Sequence, residues 1–144
     1  MTKPDPDLPS LEMLKQQFTE RDGYMRALGA EIVELGLGSA IVQMKVRPEN
    51  LNFNGSCHGG AIFSLADCAF GIATNSYGLL SAGIDAHITF NAAAWVGDTL
   101  TATAREVSRS RKIAVYQIIV TGKEDAHISS VTGTAYIIGG KNYT

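Results

Sequence analysis

The sequence predicts an α+β domain in which about six antiparallel strands curve around one long central helix. Three observations lead there. Residues 59–77 are apolar on nearly every side and too many for one strand, which reads as a helix enclosed by protein. The remaining chain holds several β-branched stretches separated by short turn signals, as an antiparallel sheet requires. The 144 residues, 45% hydrophobic and 18% charged, are enough for one domain with its own core.

The elements follow in order. Residues 1–9, with Pro4, Pro6, Pro9, Asp5 and Asp7, read as a flexible arm, leaving residues 10–144 as the single domain. Ser10 is placed to cap a helix reaching Thr19 or Arg21, with Leu11, Leu14 and Phe18 on one face. Asp22 caps a short second turn ending near Leu28 and Gly29. Residues 30–37 and 40–46 form a hairpin around Gly36 and Gly38, and residues 47–55 are turn chemistry throughout. After the long helix, residues 84–91, 99–107, 113–120 and 128–138 supply four more strands. Thr99, Thr101, Thr103 and Arg105 alternate with Leu100, Ala102 and Ala104, the period of a sheet with one covered face. A curved sheet wrapped around a helix is the hotdog architecture.

Composition removes several functions. A formal net charge of −2 gives no general attraction to nucleic acid. No apolar run approaches the ~18–20 residues of a membrane span, and the polar N-terminus leads into no apolar signal core. Cys57 and Cys68 fit neither a disulfide framework nor a zinc pattern and read as reduced thiols, so a cytoplasmic location is expected. His58, His87 and His127 are too scattered for a metal site, and no phosphate-loop or dinucleotide fingerprint occurs, so no metal and no cofactor are expected. Trp95 is expected as an anchor in the core or an interface.

Two features carry chemistry. Asp67 is the only acid between Glu49 and Asp85, and it lies mid-helix with Gly60, Ser64, Gly71 and Thr74 at helical spacing. A carboxylate among apolar residues is costly unless it is paired, hydrogen-bonded or solvated by a cleft. It is either held by its own core or kept basic as a general base or nucleophile. His58-Gly59-Gly60 opens the helix, where bare N–H groups and the helix dipole favour an oxyanion; packing in a tight turn would need the same glycines. Gly59 and Asp67 are eight residues apart, about 12 Å at ~1.5 Å per residue, too far to grip one carbonyl from a single helix. Two antiparallel helices about a two-fold axis would bring Gly59 of one chain to Asp67 of another, so a site shared across a dimer is expected.

Residues 52–67, Asn-Phe-Asn-Gly-Ser-Cys-His-Gly-Gly-Ala-Ile-Phe-Ser-Leu-Ala-Asp, resemble the signature of the PaaI-like hotdog acyl-CoA thioesterases of the phenylacetate-degradation type. The resemblance extends through residues 75–78 and 97–102 and covers about residues 25–139. It implies hydrolysis of an acyl-CoA such as phenylacetyl-CoA or hydroxyphenylacetyl-CoA, and homodimers paired into homotetramers. Asp67 matches the catalytic carboxylate, Gly59 the residue whose N–H polarises the carbonyl, and Asn52 and His58 the polar residues flanking them. Arg109, Arg111 and Lys112 fall where the family commonly meets the coenzyme A phosphates, although on charge alone they read as a solvated turn. The chain departs from the family at residues 90–95, where Phe-Asn-Ala-Ala-Ala-Trp replaces the usual Phe-Leu-Arg-Pro. A hydratase or dehydratase on the same fold, or a non-catalytic acyl-CoA-binding module, are the alternatives.

Overall fold

A computed structural model describes residues 3–144. Helix α1 (Leu11–Arg21) begins where Ser10 Oγ accepts the Met13 N–H, as the sequence requires. Asp22 ends α1 and starts α2 (Gly23–Leu28) by accepting the Met25 N–H at 2.9 Å; Gly29 closes α2 in the left-handed region at φ 78°. Strands β1 (Ala30–Gly36) and β2 (Ser39–Lys45) form the first hairpin. The long helix is α3 (Gly59–Thr74), followed by β3 (Leu79–Phe90), β4 (Thr99–Arg109), β5 (Ile113–Thr121) and β6 (His127–Lys141). The six strands form one antiparallel sheet in the order β1-β2-β4-β5-β6-β3, with α3 packed on its inner face.

The core is one continuous cluster. Leu65, Ala66 and Ala69 of α3 meet Val42, Leu100, Ala102, Ala104, Ile118 and Val120, all fully buried. The alternation in β4 is as expected, with Leu100, Ala102 and Ala104 inside and Thr99 and Arg105 outside. Phe70 fixes how closely helix and sheet approach. A Cβ at Gly83 or Gly133 would lie 2.8 or 2.9 Å from its ring.

Three expectations need correction. The helix stops at Thr74 rather than near Tyr77, because Asn75 turns its side-chain amide onto the Gly71 and Ser81 carbonyls. Strand β3 starts at Leu79, five residues earlier than the sequence pattern marks, and absorbs Gly83 in a bulge between Gly83 and Asp85. Of the two places expected for Trp95, a core or an interface, the core is excluded: the side chain is 55% exposed in the single chain. Of the expected arm, Met1 and Thr2 lie outside the described residues. In the remainder the Asp5 N–H donates to the Tyr77 carbonyl, Leu8 packs on the core and Asp7 pairs with Lys141 at 3.1 Å. No helix among the described residues is long and apolar enough to cross a membrane.

Candidate active site

Helix α3 is enclosed on most of its circumference but not all. Gly60, Ser64, Asp67 and Gly71 form a strip open to solvent in the isolated chain, so of the two readings of Asp67 the structure has the cleft and not a carboxylate held inside its own core. Thr74, placed on that strip by its spacing, turns inward and is fully buried. Helix α2 lies beside the strip, and the Tyr24 and Ser64 hydroxyls meet at 2.9 Å. Between the α1–α2 corner and α3 lies a cavity of about 620 Å³, walled by Phe18, Asp22, Tyr24, Asp67, Gly71 and Ile72 among others. A Cβ at Gly71 would touch nothing within 4 Å, so no packing demand explains that glycine. Burial first, and the Asp22 carboxylate second, hold Asp67 above its ordinary carboxyl value.

The start of α3 is built differently. His58 caps it, its Nδ1 accepting the Gly60 N–H at 2.8 Å while its carbonyl accepts from Ala61 and Ile62. Of the first four N–H groups of the helix, only that of Gly59 has no acceptor among the described residues. Gly59 lines a second cavity, of about 390 Å³, with Asn52, Ser56, Phe90 and Asn91 among others. Gly59 also has a packing reason, since a Cβ there would meet the Phe90 ring at 3.2 Å. The Asn52 side chain organises its own loop: its oxygen accepts from the Asn54 and Ser56 N–H groups and its amide donates to Ser56 Oγ. His58, with Nδ1 accepting, has Nε2–H left as a donor in the neutral ring.

Asp67 and Gly59 thus line separate cavities of one chain, with Asn52 beside Gly59 and His58 capping the helix between the loop and Gly60. Arg109 is a correction. Its side chain is 2% exposed, 3.5 Å from Glu106 and stacked 3.8 Å over the Tyr77 ring, so it is closed off from a coenzyme A phosphate. Arg111 and Lys112 do sit on the surface. Cys57 is buried and Cys68 lines the Asp67 cavity; burial and the charges of Asp22 and Asp67 push the Cys68 thiol up to about 12. The sequence reading missed two wall residues, Asp22 and Tyr24. Asp22 carries a legible cap signal, but nothing in the sequence says that its loop folds over Asp67.

Comparison with known proteins converges with this geometry. Residues 54–128 match the family model described as the thioesterase superfamily. The acyl-coenzyme A thioesterase PaaI of Escherichia coli K12 is 39% identical over 84% of this chain and 86% of its own length. A solved structure of the E. coli PaaI protein from the phenylacetic acid degradation operon superposes at TM-score 0.88, with 36% identity, covering 91% of this chain and 95% of that one. A protein of Streptococcus pneumoniae TIGR4 described as a hypothetical thioesterase and solved with coenzyme A superposes at TM-score 0.76 and 26% identity, over 82% of this chain and 99% of that one. Relatives named acyl-CoA thioesterases are hydrolases of thioester bonds, and the six-stranded sheet around α3 is their hotdog fold. The chain belongs to the thioesterase superfamily.

Proposed function

We propose that the chain hydrolyses acyl-CoA thioesters at sites shared between two copies, each using Asp67 of one chain and the Gly59 N–H of the other. The observation that carries this reading is the unpaired Gly59 N–H in one cavity and the basic Asp67 in another, eight residues away along the same helix. The sheet offers a means of pairing. Strand β3 is an edge, and its residues 82–87 are exposed on both faces in the isolated chain, an edge suited to a second copy. Dimers formed this way, paired further into tetramers, complete the sites.

At such a site the Gly59 N–H, supported by the dipole of α3, donates a hydrogen bond to the thioester oxygen as negative charge develops there; one donor of this type is worth ~10²–10³ in rate. Asp67 takes a proton from water as the water oxygen bonds to the carbonyl carbon. The C–S bond then breaks, and the sulfur leaves with a proton as free coenzyme A. Direct attack by Asp67, through an anhydride hydrolysed afterwards, uses the same group. His58 Nε2–H and the Asn52 loop flank the carbonyl. Phenylacetyl-CoA or hydroxyphenylacetyl-CoA is the proposed substrate, supported by the phenylacetic acid degradation operon of the E. coli relative and by a cavity of about 620 Å³ beside Asp67. Arg111 and Lys112 remain the candidates for the coenzyme A phosphates, and the unpaired cysteines support a cytoplasmic location.

The test is a panel of acyl-CoA esters assayed by thiol release, with Asp67→Asn alongside. Loss of about 10²–10⁴ in turnover with an unchanged circular dichroism spectrum is expected; near-normal hydrolysis by Asp67→Asn overturns the assignment. Thiol release also separates hydrolysis from hydration, and calorimetric binding without turnover would mark a non-catalytic module.

A further inference from the structure

The cavity beside Asp67 contains a second carboxylate. Asp22 lines it from the opposite wall, at the corner where α1 ends and α2 begins. That side chain is not free to swing away. One oxygen accepts the Met25 N–H at 2.9 Å, the Asp22 N–H is bound to the Phe18 carbonyl, and its carbonyl accepts from Arg26. The corner itself is tied down on three sides: Tyr24 meets Ser64 of α3, Arg21 donates to the Asn142 carbonyl, and Arg26 donates to the Thr19 and Glu20 carbonyls. The Asp22 carboxylate is fixed on the wall of the chamber that holds the reacting acid.

We propose that Asp22 is a positioning residue for the reaction, its fixed negative charge setting how strongly Asp67 takes a proton from the attacking water. The inference rests on the assignment of Asp67 made above. A carboxylate in open water is a weak base at neutral pH, and general-base efficiency rises as the base approaches the working pH. Like charge on the wall of the same cavity moves Asp67 in that direction, second to burial. The other groups facing Asp67 are few. Arg21, at the end of α1, has its guanidinium engaged with the Asn142 carbonyl; the Tyr24 hydroxyl from α2 is engaged with Ser64; Cys68 on α3 is a protonated thiol; Leu80, Asn75 and Asn142 are uncharged. His58 of a second copy would complete the list in the proposed dimer.

Asp22→Asn and Asp22→Ser test this, since both residues are good N-caps and keep the corner folded while deleting the charge. The direct readout is ¹³C carboxyl NMR on aspartate-labelled protein, with the Asp67 signal assigned by its absence in Asp67→Asn. In both variants the Asp67 titration midpoint moves to lower pH. Asp22→Glu, which keeps the charge, restores it. Raising the salt to about 1 M, where the screening length is about 3 Å, shrinks the difference between wild type and Asp22→Asn. In thiol-release assays with phenylacetyl-CoA the acid limb of the pH profile shifts the same way, and plateau kcat falls roughly two- to fivefold with little change in KM. A midpoint unmoved in both Asn and Ser variants overturns the proposal and leaves Asp22 as a cap alone. That failure is distinct from failure of the Asp67 assignment, which Asp67→Asn reports by itself.

Discussion

Replacing Glu106 with Gln is expected to be among the most destabilising single polar changes in this protein, without touching the proposed site. Glu106 lies on β4 at the start of a bulge and is only 21% exposed. It accepts the Tyr116 hydroxyl at 2.8 Å and the Tyr77 hydroxyl at 3.3 Å, and it faces the Arg109 guanidinium at 3.5 Å. Among the described residues Arg109 has no other carboxylate partner: its Nε and Nη2 are buried without hydrogen bonds, and only the Tyr77 ring stacks on its guanidinium. At 3.5 Å and an effective dielectric near 20, the gross attraction is about 5 kcal/mol. Removing one member of a buried pair costs about 3–5 kcal/mol, because the other charge is stranded. The partial exposure of Glu106 places the expectation at the lower end, about 3 kcal/mol. At about 2–4 °C per kcal/mol for a chain of this size, melting should drop by about 6–12 °C. Thermal melts by circular dichroism at fixed protein concentration measure it. Adding Arg109→Met to Glu106→Gln should recover much of the loss, since a neutral pair needs no counter-charge. A Glu106→Gln protein that melts within 2 °C of wild type would refute the reasoning.

Further expectations follow from single contacts. Gly133→Ala places a methyl 2.9 Å from the Phe70 ring and should cost about 1–3 kcal/mol by urea unfolding. Gly71→Leu, filling open space beside Asp67, should leave stability intact and lower kcat/KM for bulky acyl groups more than for acetyl-CoA, measured across an acyl-CoA panel. Because Asp67 holds its proton more tightly folded than unfolded, its contribution favours the native state at acid pH and is lost as pH rises from the ordinary carboxyl value through the raised one. Asp67→Asn should therefore melt at or above the wild-type temperature at pH 7. Cys68, with its thiol pushed up to about 12, should resist alkylation by iodoacetamide at pH 7.5 in the native protein and react only on unfolding.

Much of the fold was legible because each element declares itself locally. Ser10, Asp22 and Gly29 are helix punctuation, and the Thr-Leu-Thr-Ala-Thr-Ala run of β4 can only be a half-covered strand. Strand β3 was half hidden. Its free edge leaves residues 82–87 without a burial pattern, and Gly83 is required by Phe70, a contact between positions far apart in sequence. The site divided in the same way. Asp67 and Gly59 stand out as an acid in an apolar helix and a bare helix start. Arg109 misleads, because a basic turn looks the same in sequence whether it is solvated or folded back over Tyr77 onto Glu106. Asp22 is legible as a cap but not as a cavity wall, since that depends on where the α1–α2 corner lands.

The central claim is that one site is built from two chains, and subunit mixing tests it directly. Asp67→Asn removes the base, and Gly59→Pro removes the free N–H at a position where proline suits a helix start, the exposed Phe90 ring shifting to admit the new side chain. Each variant alone should be folded and inactive. Co-expressed with separate tags, they form mixed dimers in which one site joins the intact Asp67 of one chain to the intact Gly59 of the other. Random pairing then restores about a quarter of wild-type thiol release per chain, and purified mixed dimers about half. Mixed dimers that remain as inactive as either parent would place Asp67 and Gly59 in separate or single-chain sites and contradict the account.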